Sequence, residues 1–560
     1  MVCGIFLDQN SNLDRQTIEN IIRKLTHRGP DQTCIYVDNE LNLTSVFARL
    51  AIRDITEKAS QPFFSDDKRF YLLFNGEIYN SNILRMRLLG NFELRTNSDT
   101  EILLRHILDY GLKPTLNLIE GMFSIILVDK RTGIIQVARD MFGIKPLYYL
   151  KKNDGSFAFA SEVKVLQKVE SSFINKNILR EFLICGLIDH TNQTFFSNIQ
   201  KVGPGEIITL KESNFTIERW VEVNKDNLDF LTQESLIEYL DSFLDTSFRN
   251  AVISDRPIGI TISSGLDSNI IREFVEREDI KTEFHSVSWG EKTYSESLNA
   301  LKYIKNIDNF FIHNFTASET FFQIQHSFEI FDEPFTSPFV AIWPRVYRSI
   351  KENNISVILD GTGADEIFLG YSKYLNSDFS SYMQSSLDGV NNSIGFKSYF
   401  LHEPTDLQVA NLMDTFQIKL PRSLRFLDYA SMSQAVEVRP IYLTKQTFFI
   451  SQSIQTNWQL YKNHTKHSLR LLMRQRSPNF PAFDTKQNIQ LPIFEWMNIE
   501  WRDEISKNLA NIDSLLDFIE SSDEKKVIAS NIHNFIQGKV FQHSYVIWRA
   551  FITNLWLSKM

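Results

Sequence analysis

The sequence predicts two fold classes in succession: an α+β part whose sheets carry the core, then an α/β part built on a parallel sheet and ending in helices. Three observations predict this. Short runs of β-branched and aromatic residues, bounded by Gly, Asn or Asp, crowd the first part of the chain, with helical stretches between them. Beyond residue 250, strands hand over to helices through glycine-containing turns, the pattern of parallel strands joined by crossover helices. The length of 560 residues exceeds one ordinary core and implies roughly two to four domains.

In chain order, residues 43–52, 70–75, 122–130 and 134–140 read as strands. Residues 14–28 and 99–111 read as helices. In the second, Ile102, Leu103, His106 and Ile107 share a mostly apolar face, and Asp99 stands near the start. The turn 203-GPGE-206 and the polar stretch 211–227 mark a change of texture, followed by an amphipathic helix from Thr232 to Arg249. Then come a strand over 257–263, a helix over 268–279 and a strand over 283–289, and later a strand over 355–360 that enters a Gly-rich turn. The remainder reads as mostly helical, ending in a helix over 544–560. The expected units are residues 1–205, a linker over 206–230, and residues 231–560.

Composition narrows the class. A hydrophobic share of 43% with 23% charged residues describes a soluble globular protein and excludes a disordered tail or a coiled-coil rod. A net charge of −9 leaves no footprint of a non-specific nucleic-acid binder. The three cysteines, Cys3, Cys34 and Cys185, form no CxxC pair, so neither a disulfide framework nor a cysteine zinc site is expected. The N-terminus has no basic start and meets Asp8 early, unlike a signal peptide. The longest apolar stretches fall far below the ~20 residues that span a bilayer. The expectation is a cytoplasmic protein with no membrane or nucleic-acid partner.

The sharpest chemical feature is 262-ISSGLDS-268, where an apolar strand meets a helix. Helix N-terminal N–H groups, joined by the hydroxyls of Ser263, Ser264 and Ser268, suit a phosphate-type anion. Gly265 allows close approach, and the Asp267 carboxylate suits Mg²⁺. No Lys follows the glycine, so this is not the GxxxxGK[ST] loop. Alone, the segment is equally a strand-to-helix turn with a serine cap. A second turn, 361-GTGADE-366, follows the strand over 355–360. Two such turns at adjacent strand ends would frame a ligand crevice with Asp365 as a second metal ligand.

On these residues the second part resembles the asparagine-synthetase family of ATP pyrophosphatases. The loop is similar to that family's SGGxDS, and 361-GTGADEIFLGY-371 is similar to its GEGADELFGGY. The stretches 332-DEP-334, 428-DYASMSQAVEVRPIYL-443 and 484-DTKQNIQLPIFEW-496 follow in order. The resemblance implies ATP and Mg²⁺, with ATP cut between its α- and β-phosphates to activate a carboxylate as an acyl-adenylate. It implies that Ser263, Ser264, Gly265, Asp267, Ser268 and Gly361 hold the phosphates and that Lys486 contacts the leaving pyrophosphate. Thr362, Asp365, Glu366 and Arg439 would lie toward the acceptor. Three positions depart from the family: Thr362 where asparagine makers carry Glu, Ser264 for a loop glycine, and Thr444 for the Asp of VPFLD.

Residues 1–205 resemble the class II glutamine amidotransferase domain, an N-terminal-nucleophile sandwich, through 3-CGIF-6, 27-HRGPDQ-32, 49-RLAI-52, 75-NGEIYN-80, 97-NSDTE-101 and 139-RDMFGIKPLYY-149. By that resemblance Cys3 is the thiol nucleophile. Arg49 and Asp99 hold the α-carboxylate and α-amine of glutamine, Asn75 and the Gly76 N–H form the oxyanion hole, and Leu50 and Glu77 complete the pocket. The family's cysteine follows the initiator Met directly, so that its own α-amine serves as the base. Here Val2 intervenes, and a peptide nitrogen is not basic. Either Val2 is an added or misassigned start residue, or the mature chain is trimmed further, or this half does not hydrolyse glutamine.

The implied activity is a carbon–nitrogen ligase that takes glutamine or ammonia and a carboxylic-acid acceptor, aspartate or another; a homodimer is compatible. The alternatives are a ligase or cyclase of the β-lactam-synthetase type and a catalytically silent glutamine- or nucleotide-binding homologue.

Overall fold

In the computed structural model the described residues are 3–88, 93–212, 214–221, 232–289, 300–305, 307–375, 406–484, 492–539 and 545–560. The first part stacks two six-stranded antiparallel sheets. One runs in the order Ile199–Lys201, Tyr148–Lys151, Phe157–Ala160, Cys3–Gln9, Leu43–Arg49, Gln32–Asp38. The other runs Asn214–Arg219, Glu206–Lys211, Ile134–Arg139, Gly121–Asp129, Phe70–Ile78, Phe63–Phe64. Side chains alternate across each strand, so both faces find a core. Ile5, Leu7 and Phe47 meet Tyr71, Leu73 and Ile126 between the sheets. Outside, Phe6 and Val46 pack with Ile21 and Leu25 of the helix Arg15–Leu25, and Phe74 and Ile125 pack with Leu103 and Ile107 of the helix Asp99–Tyr110. The result is the helix–sheet–sheet–helix sandwich.

The second sheet corrects the expected boundary at residue 205. Glu206–Lys211 and Asn214–Arg219 form a hairpin on its edge, with Ile207 opposite Ala138, so the first part runs on through Arg219. An exposed edge strand carries charge on its outer side, which is why its sequence reads as a linker.

The second part is built on five parallel strands in the order Phe310–Asn314, Thr282–Ser288, Ile258–Thr261, Val357–Asp360, Glu437–Pro440. The fifth lies within the stretch expected to be helical. It is four residues long and ends in Pro, too short for a periodic signal. Chain order reverses between Ile258–Thr261 and Val357–Asp360, which opens a crevice at their C-terminal ends. The helix Gln233–Ala251 starts at a capping box of Thr232 and Ser235. The terminal helix Tyr545–Leu557 buries Trp548, Phe551 and Trp556, and Phe195 and Phe196 of the first part meet Trp556 edge-on at 5.7 and 5.8 Å. Among the described residues no helix is long and apolar enough to cross a membrane.

Candidate active sites

Cys3 opens the first strand opposite Arg49 and is fully buried. Its backbone N–H donates to Asn75 Oδ1 at 2.9 Å. That bond turns the Asn75 amide so that Nδ2 is buried without a hydrogen-bond partner among the described residues. A donor left unmade in this way costs free energy unless a ligand oxygen takes it up, which is the chemistry of an oxyanion hole. Gly76 must be glycine, because a Cβ there would sit 2.1 Å from the Met122 carbonyl oxygen. Burial pushes the Cys3 thiol up to about 12.

The motif residues around Cys3 have structural partners. Arg28, wholly buried, donates to the Cys3 carbonyl and pairs with Glu162 at 2.9 Å and Asp428 at 2.7 Å, the latter from the second part. Arg49 donates from Nη1 to the Thr56 carbonyl at 2.7 Å and from Nη2 to the Asp54 carbonyl, fastening the 54–56 loop beside the strand; Leu50 is buried next to it. Asp99 is fully buried and accepts the Ile78 N–H at 2.9 Å; burial raises its carboxyl.

Glu77 points the other way. Its Oε1 accepts from Arg53 Nη1 at 2.8 Å, and its Oε2 lies 3.6 Å from Arg439 Nη2. Arg439 is likewise buried. It pairs with Glu437 and donates to the carbonyls of Ala251 and Ile253 at 2.6 and 2.8 Å. Glu77 is tied into a buried ion cluster between the two parts, and Arg439 joins it from the last strand of the parallel sheet. Both are drawn there by each other's charge in a place that excludes water.

The crevice itself is a cleft of about 250 Å³ at the strand reversal, walled by Ser264, Gly265, Asp267 and Asp365 from the two turns. The helix Leu266–Arg277 begins two residues before the expected start. Gly265 is its N-cap and offers no side chain to the first turn, so backbone donors face the cleft. Ser263 and Ser268 hold the loop together: Ser268 Oγ accepts the Ser263 N–H at 3.1 Å, and Ser263 Oγ accepts the Gly265 N–H at 3.1 Å. Asn269 Nδ2, which sequence reasoning passed over, clamps the carbonyls of Ser263 and Gly265 at 3.0 and 2.8 Å. Gly361 lies directly against Asp267. Thr362 donates its N–H to Asp360 Oδ1 at 2.8 Å, and buried Glu366 accepts from Tyr371 Oη at 2.6 Å.

Lys466 and Arg470 were also missed. Lys466 Nζ lies 2.6 Å from Asp267 Oδ1 and 2.7 Å from Asp365 Oδ1, so one cation already bridges the two carboxylates named as metal ligands. Two hard carboxylate oxygens within reach of one cation fit Mg²⁺, which keeps several waters or phosphate oxygens for its other positions. Arg470 donates to the carbonyls of Thr465, Ala482 and Asp484 and shapes the far wall. Their signal was weak: a lysine and an arginine four positions apart at the start of an ordinary amphipathic helix. Lys486 lies outside the described residues. Thr444 caps the helix Lys445–Ser453, its Oγ1 accepting the Thr447 N–H at 3.1 Å, a task for which Thr and Asp are both suited.

Comparison with known proteins agrees with this division. A family model described as a glutamine amidotransferase domain matches residues 2–221, and one described as asparagine synthase matches residues 239–558. Asparagine synthetase [glutamine-hydrolyzing] 1 of Bacillus subtilis is 30% identical over 367 residues, 64% of this chain and 56% of that protein, so little more than half of that relative is spanned. A putative asparagine synthetase [glutamine-hydrolyzing] 2 of Methanocaldococcus jannaschii is 28% identical over 487 residues, covering 80% of this chain and 90% of its own length. An asparagine synthetase [glutamine-hydrolyzing] of Sandersonia aurantiaca is 26% identical over 517 residues, covering 88% and 84%. With a match over most of the second part and a crevice built from the family's two loops, the chain belongs to the asparagine synthase family.

Proposed function

We propose that this protein is an ATP-dependent amide ligase that activates a carboxylic acid as its acyl-adenylate and amidates it with ammonia drawn from glutamine. The observation that carries the reading is the meeting of Asp267 and Asp365 on one cation beside an uncapped helix N-terminus at the strand reversal. An acceptor carboxylate oxygen attacks the α-phosphorus of ATP and pyrophosphate leaves. Ammonia then attacks the acyl carbon, and AMP departs. The helix N-terminus and the Ser264–Gly265 backbone receive the phosphates. Asp267 and Asp365 are the residues that would hold Mg²⁺, which supplies charge neutralisation for the phosphates when bound.

In the first part, once Val2 is removed and the Cys3 α-amine takes the thiol proton, the thiolate attacks the side-chain amide carbon of glutamine, ammonia leaves, and water hydrolyses the resulting thioester to glutamate. Asn75 Nδ2 and the Gly76 N–H receive the oxyanion. Arg49 and Asp99 are the residues assigned to the α-carboxylate and α-amine of glutamine. The retained glutamine pocket weighs against a cyclase of the β-lactam-synthetase type. Aspartate is a weak candidate for the acceptor, because Thr362 replaces a carboxylate there. The test is pyrophosphate release with a panel of carboxylates, with glutamine and with ammonium as nitrogen source. A carboxylate that yields its amide together with AMP and pyrophosphate supports the reading. Nucleotide binding without turnover on any carboxylate favours the silent homologue.

A further inference from the structure

We infer that Lys466 is an internal counter-cation that occupies the metal position of the nucleotide-free crevice, so that a divalent cation enters only together with phosphate. The inference rests on the reading of Asp267 and Asp365 as the carboxylates that serve the ATP site.

The geometry is that of a seated ion. Lys466 Nζ lies 2.6 Å from each oxygen of Asp267 and 2.7 Å from Asp365 Oδ1. The lysine side chain is only 4% exposed although it ends in a charge. Its backbone holds a left-handed conformation, φ 52 and ψ 37, at the N-cap of the helix His467–Arg476, yet the side chain makes no cap bond. A non-glycine residue in that region carries a steric cost, which the contacts of the ion cluster help to offset. The neighbouring chain is cut back to make room. A Cβ on Gly370 would sit 1.9 Å from Asp365 Oδ1 and 2.1 Å from Lys466 Cε.

A Mg²⁺ ion needs carboxylate oxygens at roughly 2.0–2.1 Å. Placed on the oxygens that the ammonium now contacts, it would overlap a like charge. Free Mg²⁺ must therefore displace Lys466 toward a wall that carries two other cations, Lys302 and Arg470, against one further carboxylate, Asp484. ATP changes the balance. Its phosphate oxygens give the Lys466 ammonium a new anionic partner, and the carboxylates are released to the metal that arrives with it.

Mn²⁺ binding to the full-length, nucleotide-free protein, followed by electron paramagnetic resonance, tests this without any turnover. Lys466→Met is expected to bind Mn²⁺ at least about tenfold more tightly than the unaltered protein. Lys466→Arg keeps a cation and is expected to gain nothing, and adding Asp267→Asn to Lys466→Met is expected to abolish the gain. Should Lys466→Met not fold, Lys466→Gln makes the same comparison with a polar side chain. A non-hydrolysable ATP analogue is expected to raise Mn²⁺ affinity in the unaltered protein. Tight Mn²⁺ binding by the unaltered apo protein, or no gain in either neutral variant, overturns the inference. The two readings fail separately. A gain in Mn²⁺ affinity with no carboxylate-dependent pyrophosphate contradicts the ligase; pyrophosphate formation with no gain contradicts only the role of Lys466.

Discussion

Arg439 Nη2 lies 3.6 Å from Glu77 Oε2, so the strand that carries the oxyanion residues and the last strand of the parallel sheet meet through a buried ion pair. Replacing one member of such a cluster leaves the others charged and dry, which costs about 3–5 kcal/mol. Arg439→Met is therefore expected to lower the urea midpoint strongly, and Glu437→Gln combined with it to recover part of the loss. A midpoint unchanged by Arg439→Met would show that water reaches the cluster.

The Cys3 nitrogen donates a hydrogen bond to Asn75 as an amide, and its thiol is pushed up to about 12 by burial. Protein shown by intact mass to carry Val2 is expected to hydrolyse glutamine negligibly while still accepting ammonium. Deleting Val2, so that processing exposes the Cys3 α-amine, is expected to restore glutamine use. In that background Asn75→Ala should lower kcat by about 10²–10³. Strong glutaminase activity in the Val2-bearing chain would demand another base.

Thr362 is uncharged where asparagine makers carry Glu. Aspartate is expected to be a poor acceptor, and Thr362→Glu to raise its turnover. Efficient asparagine formation by the unaltered chain, measured by amino-acid analysis, would contradict this.

Glu120 accepts the Lys445 N–H at 2.8 Å across the two parts, and burial raises its carboxyl to about 7. An unfolded Glu titrates near ~4.3. Between those values the folded state holds a proton that the unfolded state has released, so stability is full below the lower value and falls as pH rises through the higher. Relative to Glu120→Gln, the unaltered protein should lose stability from about pH 5 to about pH 8 in urea titrations. Parallel pH profiles would refute it.

How much was legible follows from what is local. Strands such as Leu43–Arg49 and Gly121–Asp129 have buried faces on both sides, so their apolar runs announce them. The edge hairpin at Glu206–Arg219 has a wet face and reads as linker, and Glu437–Pro440 is a strand only because Val357–Asp360 lies beside it. In the crevice, the Asp267 and Asp365 loops are contiguous signals and could be read. Lys466 reaches Asp267 from 199 positions away, and nothing in its own neighbourhood marks it. Arg439 was visible as an arginine, but its partner Glu77 comes from the other part, so its surroundings could not be read from its own segment.

Under the proposed function, ATP is cleaved between its α- and β-phosphates in the crevice that Asp267 and Asp365 line. Phosphorus NMR of the products, with ammonium and a carboxylate that supports turnover, tests it most directly. AMP and pyrophosphate are expected in equal amounts from the unaltered protein and neither from Asp267→Ala or Asp365→Ala. ADP and orthophosphate, or undiminished pyrophosphate from either variant, would contradict it.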